Sequence, residues 1–332
     1  MSSVNSNKMV ESLVKVRDLQ TWFPVKSGLL GRTRNYIKAV DGVSLDINHG
    51  EIVALVGESG CGKSTLGNTL SGLLPIRSGQ FWFKGKQAVN KNHLDHSVFE
   101  NKSQIIFQDP YSCLNPKHTV YEILSFPLLH HKICDRRSVK DYIASLLGKV
   151  GMPPEYMDRY PHAFSGGQRQ RISIARAIGM KPELIICDEI VSSLDVSIQA
   201  QIIELLLELR EQLGLALLFI AHDLSLVRTI SDRLYVMYLG KIVESGKTTD
   251  VLSDPLHPYT RALIQSVPTL DRTKPPVVLE GEVPSFSNMP KGCSFQNRCP
   301  NRTEACLLQP QPSLQQEREV SCFHPLTIDS QK

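Results

Sequence analysis

A chain of 332 residues can bury a substantial core, as one large domain or as two unequal ones. Its 37 basic and 33 acidic residues leave a formal charge of +4, too mild to imply a nucleic-acid partner, and no long basic tract or RNA-binding aromatic pattern occurs. Residues Met1 to Met9 lack the positive end and apolar core of a secretion signal, so export is not expected. The longest apolar run, Leu213 to Ala221, is far short of the roughly 20 residues that span a bilayer, so any membrane association must go through a partner.

In chain order, residues 13 to 56 alternate apolar and polar with β-branched residues, as in Ala39 to Ile47, and read as several strands. The last of them, Glu51 to Val56, feeds Gly57-Glu58-Ser59-Gly60-Cys61-Gly62-Lys63-Ser64, which fits G-x-x-x-x-G-K-[ST] and leads into the helix-compatible Ser64 to Leu70. Strand, glycine loop and helix point to a nucleoside triphosphate site. The glycines let backbone N–H groups converge on the phosphates, and the following helix turns its positive end toward them. Lys63 is expected to neutralise the β/γ oxygens and the Ser64 hydroxyl to ligate Mg²⁺, with Thr65 completing the stretch.

Helical periodicity takes over from Val139 to Val150 and again from Ser197 to Leu213. Between them Leu184 to Cys187 is a short unbroken apolar run, suited to a buried parallel strand, and Leu215 to Ala221 is a second. Strands alternating with helices predict an α/β fold, a parallel sheet covered on both faces. The first of these strands ends in Asp188-Glu189. Asp188 is assigned to Mg²⁺ and Glu189 to orienting or deprotonating the attacking water. Upstream, Ser165-Gly166-Gly167-Gln168 opens a helix-like segment and makes a second anion site, usable only if another nucleotide's γ-phosphate is brought to it.

With this string, Phe164 to Arg171, the chain resembles the nucleotide-binding subunits of ABC transporters over residues 12 to 268. The resemblance implies a P-loop ATPase domain with a parallel core sheet, an antiparallel β subdomain and a helical subdomain at about 109 to 180, followed by a small cysteine-rich extension over 269 to 332. It implies that Gln108 senses Mg²⁺ and contacts the membrane subunits, that Ser193-Leu194-Asp195 signals across a dimer, and that His222 contacts the γ-phosphate. Phe23, or alternatively Tyr36, is implied as the aromatic that stacks on adenine; Lys26 to Asn35 looks like an insertion that blurs this alignment. The catalytic set is then Glu189, His222 and Gln108, and the Mg²⁺ set Ser64, Gln108 and Asp188. One departure stands out: the family's Asp-Glu-Pro is here Asp188-Glu189-Ile190, which frees a backbone N–H and a dihedral beside the catalytic carboxylate and could alter turnover. The resemblance further implies that two such subunits sandwich two ATP molecules, each phosphate loop facing the other subunit's Ser165 to Gln168 equivalent.

Asp254 to Arg261, with its His-Pro-Tyr-Thr string, narrows the resemblance to the peptide and nickel importer branch, and Arg159 to His162, Asp195 to Gln201 and Val236 to Gly240 narrow it to F-type ATPase subunits of oligopeptide and dipeptide permeases. The implied partners are a D-type ATPase subunit as heterodimer, two transmembrane permease subunits and a periplasmic or lipoprotein substrate-binding protein. The implied location is the cytoplasmic face of a bacterial inner membrane, peripherally bound. Nickel complexes, glutathione or antimicrobial peptides are alternative cargoes. A soluble ABC ATPase acting on nucleic acid or ribosomes usually carries two cassettes or long coiled-coil insertions, which are absent here. A catalytically idle cassette is disfavoured by intact Lys63, Glu189, Gln108, Ser165 and His222.

Beyond about residue 268 proline, glycine and cysteine dominate, reading as a separate loop-rich appendage. Cys293, Cys299, Cys306 and Cys322 lack the paired spacing of structural zinc and fit a four-thiolate iron–sulfur cluster better; relatives in the resembled branch imply a [4Fe-4S] centre. Zinc and unligated thiols stay open, and a metal would explain how so short a tail holds a fold.

Overall fold

The computed structural model describes residues 12–27, 32–90, 93–99, 101–266, 281, 284–286 and 289–326. The expected boundary at 268/269 lies outside them. Strands β1 (Val14–Ser27) and β2 (Arg32–Ile47) pair antiparallel, and β3 (Ile52–Val56) then runs into α1 (Lys63–Leu70). β4 (Ser78–Phe83) and β5 (Lys86–Gln87) complete a four-stranded antiparallel sheet in the order β2-β1-β4-β5, while β6 (Val89–Asn90) and β7 (His93–Leu94) form a small pair.

After β8 (Ser103–Ile106) come three helices, α2 (Val120–His130), α3 (Val139–Lys149) and α4 (Gly166–Gly179). The α/β alternation resumes with β9 (Leu184–Asp188), α5 (Val196–Leu213), β10 (Ala216–Ile220) and α6 (Leu224–Ile230). Then follow β11 (Arg233–Tyr238), β12 (Lys241–Lys247), α7 (Thr248–Ser253) and α8 (Pro258–Gln265), and last β13 (Ser313–Gln315) and β14 (Arg318–Val320).

Among the described residues the main sheet has eight strands in the order β13-β14-β12-β11-β3-β10-β9-β8; β11, β3, β10, β9 and β8 are parallel, and the other three close one edge antiparallel. β3, β9 and β10 are buried on both faces, which is why they read as unbroken apolar runs rather than alternating ones. Successive residues of β3 serve two cores. Ile52, Ala54 and Val56 pack with the helices α2 to α5, and Val53 and Leu55 pack with α1 and the antiparallel sheet. Burying such a side chain is worth about 1.5–3 kcal/mol, so the two cores fix the strand register firmly.

The tail shares these cores instead of standing apart. Cys293, Phe295 and Cys306 belong to the helix-side core, and β14 pairs with β12 through Glu244↔Val320. Arg318 is buried under Gly246, donates to the Asp254 carbonyl, and lies 3.8 Å from the fully buried Glu244. Glu244 in turn accepts the N–H groups of Leu256 and His257, each at 2.9 Å, so both oxygens of the buried carboxylate are hydrogen-bonded.

Candidate functional site: a triphosphate cradle at the strand ends

Strand register gathers the candidate residues. Ile106 pairs with Cys187, Asp188 with Ile220 and Ile220 with Leu55, so the carboxyl ends of β8, β9, β10 and β3 lie level. Gln108, Asp188, Glu189, His222 and the loop from Gly57 leave that one edge, the usual place for ligands in a parallel sheet.

The loop wraps tightly. Gly62 has φ 111° and precedes α1, and a Cβ there would overlap the Ala39 carbonyl; one at Gly57 would overlap that of Met237. No other residue fits either position. Lys63, 4% exposed, donates through Nζ to the carbonyls of Gly57 at 2.9 Å and Glu58 at 3.0 Å, which bends the amine back over the loop. Backbone N–H groups, a helix start and an ammonium on one concave turn suit a triphosphate. The Ser64 hydroxyl donates to Asp188 Oδ1 at 3.0 Å. Burial raises the Asp188 carboxyl above its ordinary range, while the Ser64 bond and Lys63 pull it back. Two hard oxygens side by side at the phosphate end are the donor chemistry that Mg²⁺ takes.

Glu189 sits beside this pair with φ 47°, an uncommon conformation for a non-glycine residue. Its N–H is anchored on the Ile220 carbonyl at 3.0 Å and its own carbonyl accepts from the Ser192 hydroxyl at 2.8 Å. The side chain is thereby aimed at Gln108, whose Nε2 donates to Glu189 Oε2 at 2.9 Å and to Ser192 Oγ at 3.3 Å. His222 Nδ1 stands 4.0 Å from the same carboxylate oxygen on a largely exposed ring. Asp223, capping α6 through a 2.8 Å bond from the Ser225 N–H, fixes the chain just after His222. Gln108, expected among the Mg²⁺ ligands, thus hydrogen-bonds Glu189. Ile190, where the family carries proline, is fully buried in the helix-side core.

The residues expected to form a second anion site lie elsewhere. Ser165 caps α4: its hydroxyl accepts from the Gln168 N–H at 3.4 Å and its N–H donates to Gln168 Oε1 at 3.1 Å. Gly166 and Gly167 face Leu194 and Ile198, so this helix start leans on the Ser193-Leu194-Asp195 loop and on α5, which Asp195 precedes. Among the described residues no hydrogen bond joins Ser165 to Gln168 with Gly57 to Ser64. Of the two aromatics, Tyr36 is taken up by Trp22, 6.0 Å away, and by Arg77, 4.3 Å over its ring; Phe23 is half-buried opposite Ile37.

The expectation of a [4Fe-4S] centre on Cys293, Cys299, Cys306 and Cys322, with zinc as its alternative, is overturned. Among the described residues no group of three or more His, Cys, Asp or Glu side chains is placed to hold a metal ion. All four cysteines lie outside any disulfide, and burial pushes the Cys293, Cys299 and Cys322 thiols up, Cys322 to about 11. Packing holds this segment instead. Phe295, 1% exposed, sits edge-on to Tyr238 at 5.3 Å and tilted to Tyr259 at 5.4 Å.

Sequence reasoning missed two residues that touch the phosphate loop. Tyr259 Oη accepts the Glu58 N–H at 2.8 Å, and Arg298 grips the Glu58 carboxylate through two bonds of 2.7 and 3.0 Å. Tyr259 lies in the His-Pro-Tyr-Thr string, which carried only a resemblance; nothing local signals Arg298.

A loop suited to a triphosphate on one strand-end edge, beside a carboxylate set between a glutamine and a histidine, is the arrangement of an ATP-hydrolysing cassette. Residues 40–192 match the family model described as ABC transporter, and residues 243–306 match the one described as Oligopeptide/dipeptide transporter, C-terminal region. The chain belongs to the ABC transporter family, among its ATP-binding subunits. It is 48% identical to the oligopeptide transport ATP-binding protein AppF of Bacillus subtilis, over 89% of this chain and 92% of the relative. Against the oligopeptide transport ATP-binding protein OppF of Salmonella typhimurium the identity is 46%, over 94% and 96% of the two chains. Among solved structures, cbiO1 of Clostridium perfringens, part of the ABC transporter complex cbiONQ, aligns with a TM-score of 0.61 and 27% identity over 73% of this chain and 91% of that one. The ATP-binding cassette MJ0796, solved as a dimer bound to ADP and Pi, aligns at 0.59 and 25% identity over 71% and 98%. No helix among the described residues is long and apolar enough to cross a membrane.

Proposed function

We infer that the chain is the ATP-binding and hydrolysing subunit that energises an importer of oligopeptides or dipeptides. The observation that carries the chemistry is the Gln108–Glu189–His222 cluster on the same edge as the Lys63 and Ser64–Asp188 cradle. The observation that carries the cargo is the similarity, at 42–48% identity over nearly whole chains, to oligopeptide and dipeptide transport ATP-binding proteins.

Gly57 to Thr65 hold the α- to γ-phosphates of ATP, and Phe23 stacks on the adenine. Mg²⁺, when held by Ser64 and Asp188, supplies charge neutralisation at the β/γ oxygens. Glu189 orients a water and accepts its proton as the water oxygen bonds the γ-phosphorus and ADP leaves in line. Its fixed backbone and the Gln108 bond pre-aim the carboxylate. His222 contacts the γ-phosphate from the other side. Ser165, Gly166, Gly167, Gln168 and Asp195 serve the nucleotide of a second ATPase subunit, since in this chain they are turned to the α4–α5 side. The partners are a D-type ATPase subunit, two transmembrane permease subunits and a substrate-binding protein, at the cytoplasmic face of the inner membrane. Residues 12–268 form the ATPase domain and 269–332 a C-terminal extension, a division supported by the match of residues 243–306 to a C-terminal-region model.

The test is Glu189→Gln. ATP affinity stays within about threefold of the parent while turnover falls by about a hundredfold or more, the loss expected on removing a general base. Turnover at the parental rate would remove Glu189 from the mechanism, and failure of the chain to copurify with membrane subunits would point to a non-transport ATPase.

A further inference from the structure

The phosphate loop is tied to the C-terminal segment through one residue. Glu58, the second residue of the loop, gives its N–H to Tyr259 Oη at 2.8 Å and lends its carbonyl to Lys63 Nζ at 3.0 Å. Its carboxylate is taken bidentately by Arg298, Nη1 to Oε2 at 2.7 Å and Nη2 to Oε1 at 3.0 Å. The Arg298 side chain is 4% exposed and that of Glu58 21%, so this pair is largely withdrawn from solvent. The guanidinium is itself held: Nη1 also donates to Tyr238 Oη at 3.4 Å, and Phe295, three residues earlier, packs on Tyr238 and Tyr259. The C-terminal segment therefore meets the loop at the residue whose carbonyl seats the phosphate-binding lysine.

A carboxylate is an adverse neighbour for a triphosphate, because like charges a few ångströms apart in a partly buried site repel strongly. We propose that Arg298 is a positioning residue of the nucleotide site: by neutralising and clamping Glu58 it keeps Lys63 and the loop N–H groups set for the phosphates, so that the C-terminal segment sets ATP affinity. This rests on the reading that Gly57 to Ser64 hold ATP. The bidentate fork matters as well as the charge, since it fixes the plane of the carboxylate. Tyr259 supports the same residue from the main-chain side, with its ring against Phe295 at 5.4 Å.

The experiment is MgATP binding by calorimetry on the full chain, for Arg298→Met, Glu58→Gln, the double variant, and Lys63→Ala as control. Breaking a withdrawn pair leaves an unpaired charge, so Arg298→Met raises the Kd about tenfold, while the double variant returns to within about threefold of the parent because the stranded carboxylate is gone. Parent-like binding by Arg298→Met overturns the proposal, as does a double variant as weak as Arg298→Met, which would mean lost structure and not stranded charge. Should Arg298→Met not fold, Arg298→Lys carries the test, with a rise of about sixfold for the lost fork and binding within about threefold of the parent counting against it. Lys63→Ala separates the two readings. If it binds MgATP normally, the loop is not the nucleotide site; if it abolishes binding while Arg298→Met is silent, only the Arg298 proposal fails.

Discussion

Residues around the cradle divide into those a local pattern announces and those only the fold brings in. Gly57 to Ser64, Asp188 and Glu189 were legible because each belongs to a short contiguous string whose chemistry follows from its spacing. Arg298 and Tyr259 were not, standing 240 and 201 residues from the Glu58 they hold. The tail cysteines were misread for the converse reason: spacing counts four thiols but carries nothing about how the fold sets them, and among the described residues no three or more such side chains are placed to hold a metal ion. His257 offers a test at this scale. It is fully buried, its Nδ1 accepts the Tyr259 N–H at 3.0 Å, and burial pushes its pKa from the ordinary 6.5 down to about 3. Between those values the unfolded chain binds the proton and the folded chain does not. Stability is therefore full above pH 6.5 and is lost as the pH falls toward 3. From pH 7 to pH 5 this one group costs about 2 kcal/mol, at 1.36 kcal/mol per pH unit below 6.5. Denaturant unfolding of His257→Asn, which keeps an acceptor for the α8 cap, shows a pH dependence smaller by that amount; an unchanged slope would contradict the assignment.

At the scale of elements, the strands β3, β9 and β10 and the helices α1, α3 and α5 follow their sequence patterns closely, since one periodic face or one buried run decides each. α2 was harder to see. Pro127 lies inside it, and the signal that does mark it is the capping box at its start, where Thr119 accepts from the Glu122 N–H and Glu122 accepts from the Thr119 N–H. β13 and β14 escaped because three-residue strands have no period to read; the pairing of β14 with β12 on one side and β13 on the other, and burial of Arg318, make them. The C-terminal segment stands on the aromatic contact instead of on a metal, which gives a second test. Phe295→Ala costs about 3–5 kcal/mol, the range for deleting a buried aromatic, and a chelator costs the parent nothing. A melting temperature that drops on chelation, or one that Phe295→Ala leaves in place, would reverse that view.

Across the whole molecule, the strand-end edge carries Lys63, Ser64, Asp188 and Glu189, while Ser165 to Gln168 open α4 apart from them, the separation that the proposed sharing of each nucleotide between two subunits requires. Under the proposed function, this chain and a second ATPase subunit closing on ATP give a state that nucleotide stabilises and hydrolysis releases, so that binding energy drives a conformational cycle. The direct measurement is peptide uptake into proteoliposomes holding this chain with the proposed D-type and permease subunits, a binding protein being supplied outside and MgATP inside. Uptake that requires MgATP and falls to background with Glu189→Gln, while the assembled complex persists, is the result predicted here. Uptake that proceeds equally with Glu189→Gln, or ATP turnover at the parental rate without any peptide entering, would contradict it.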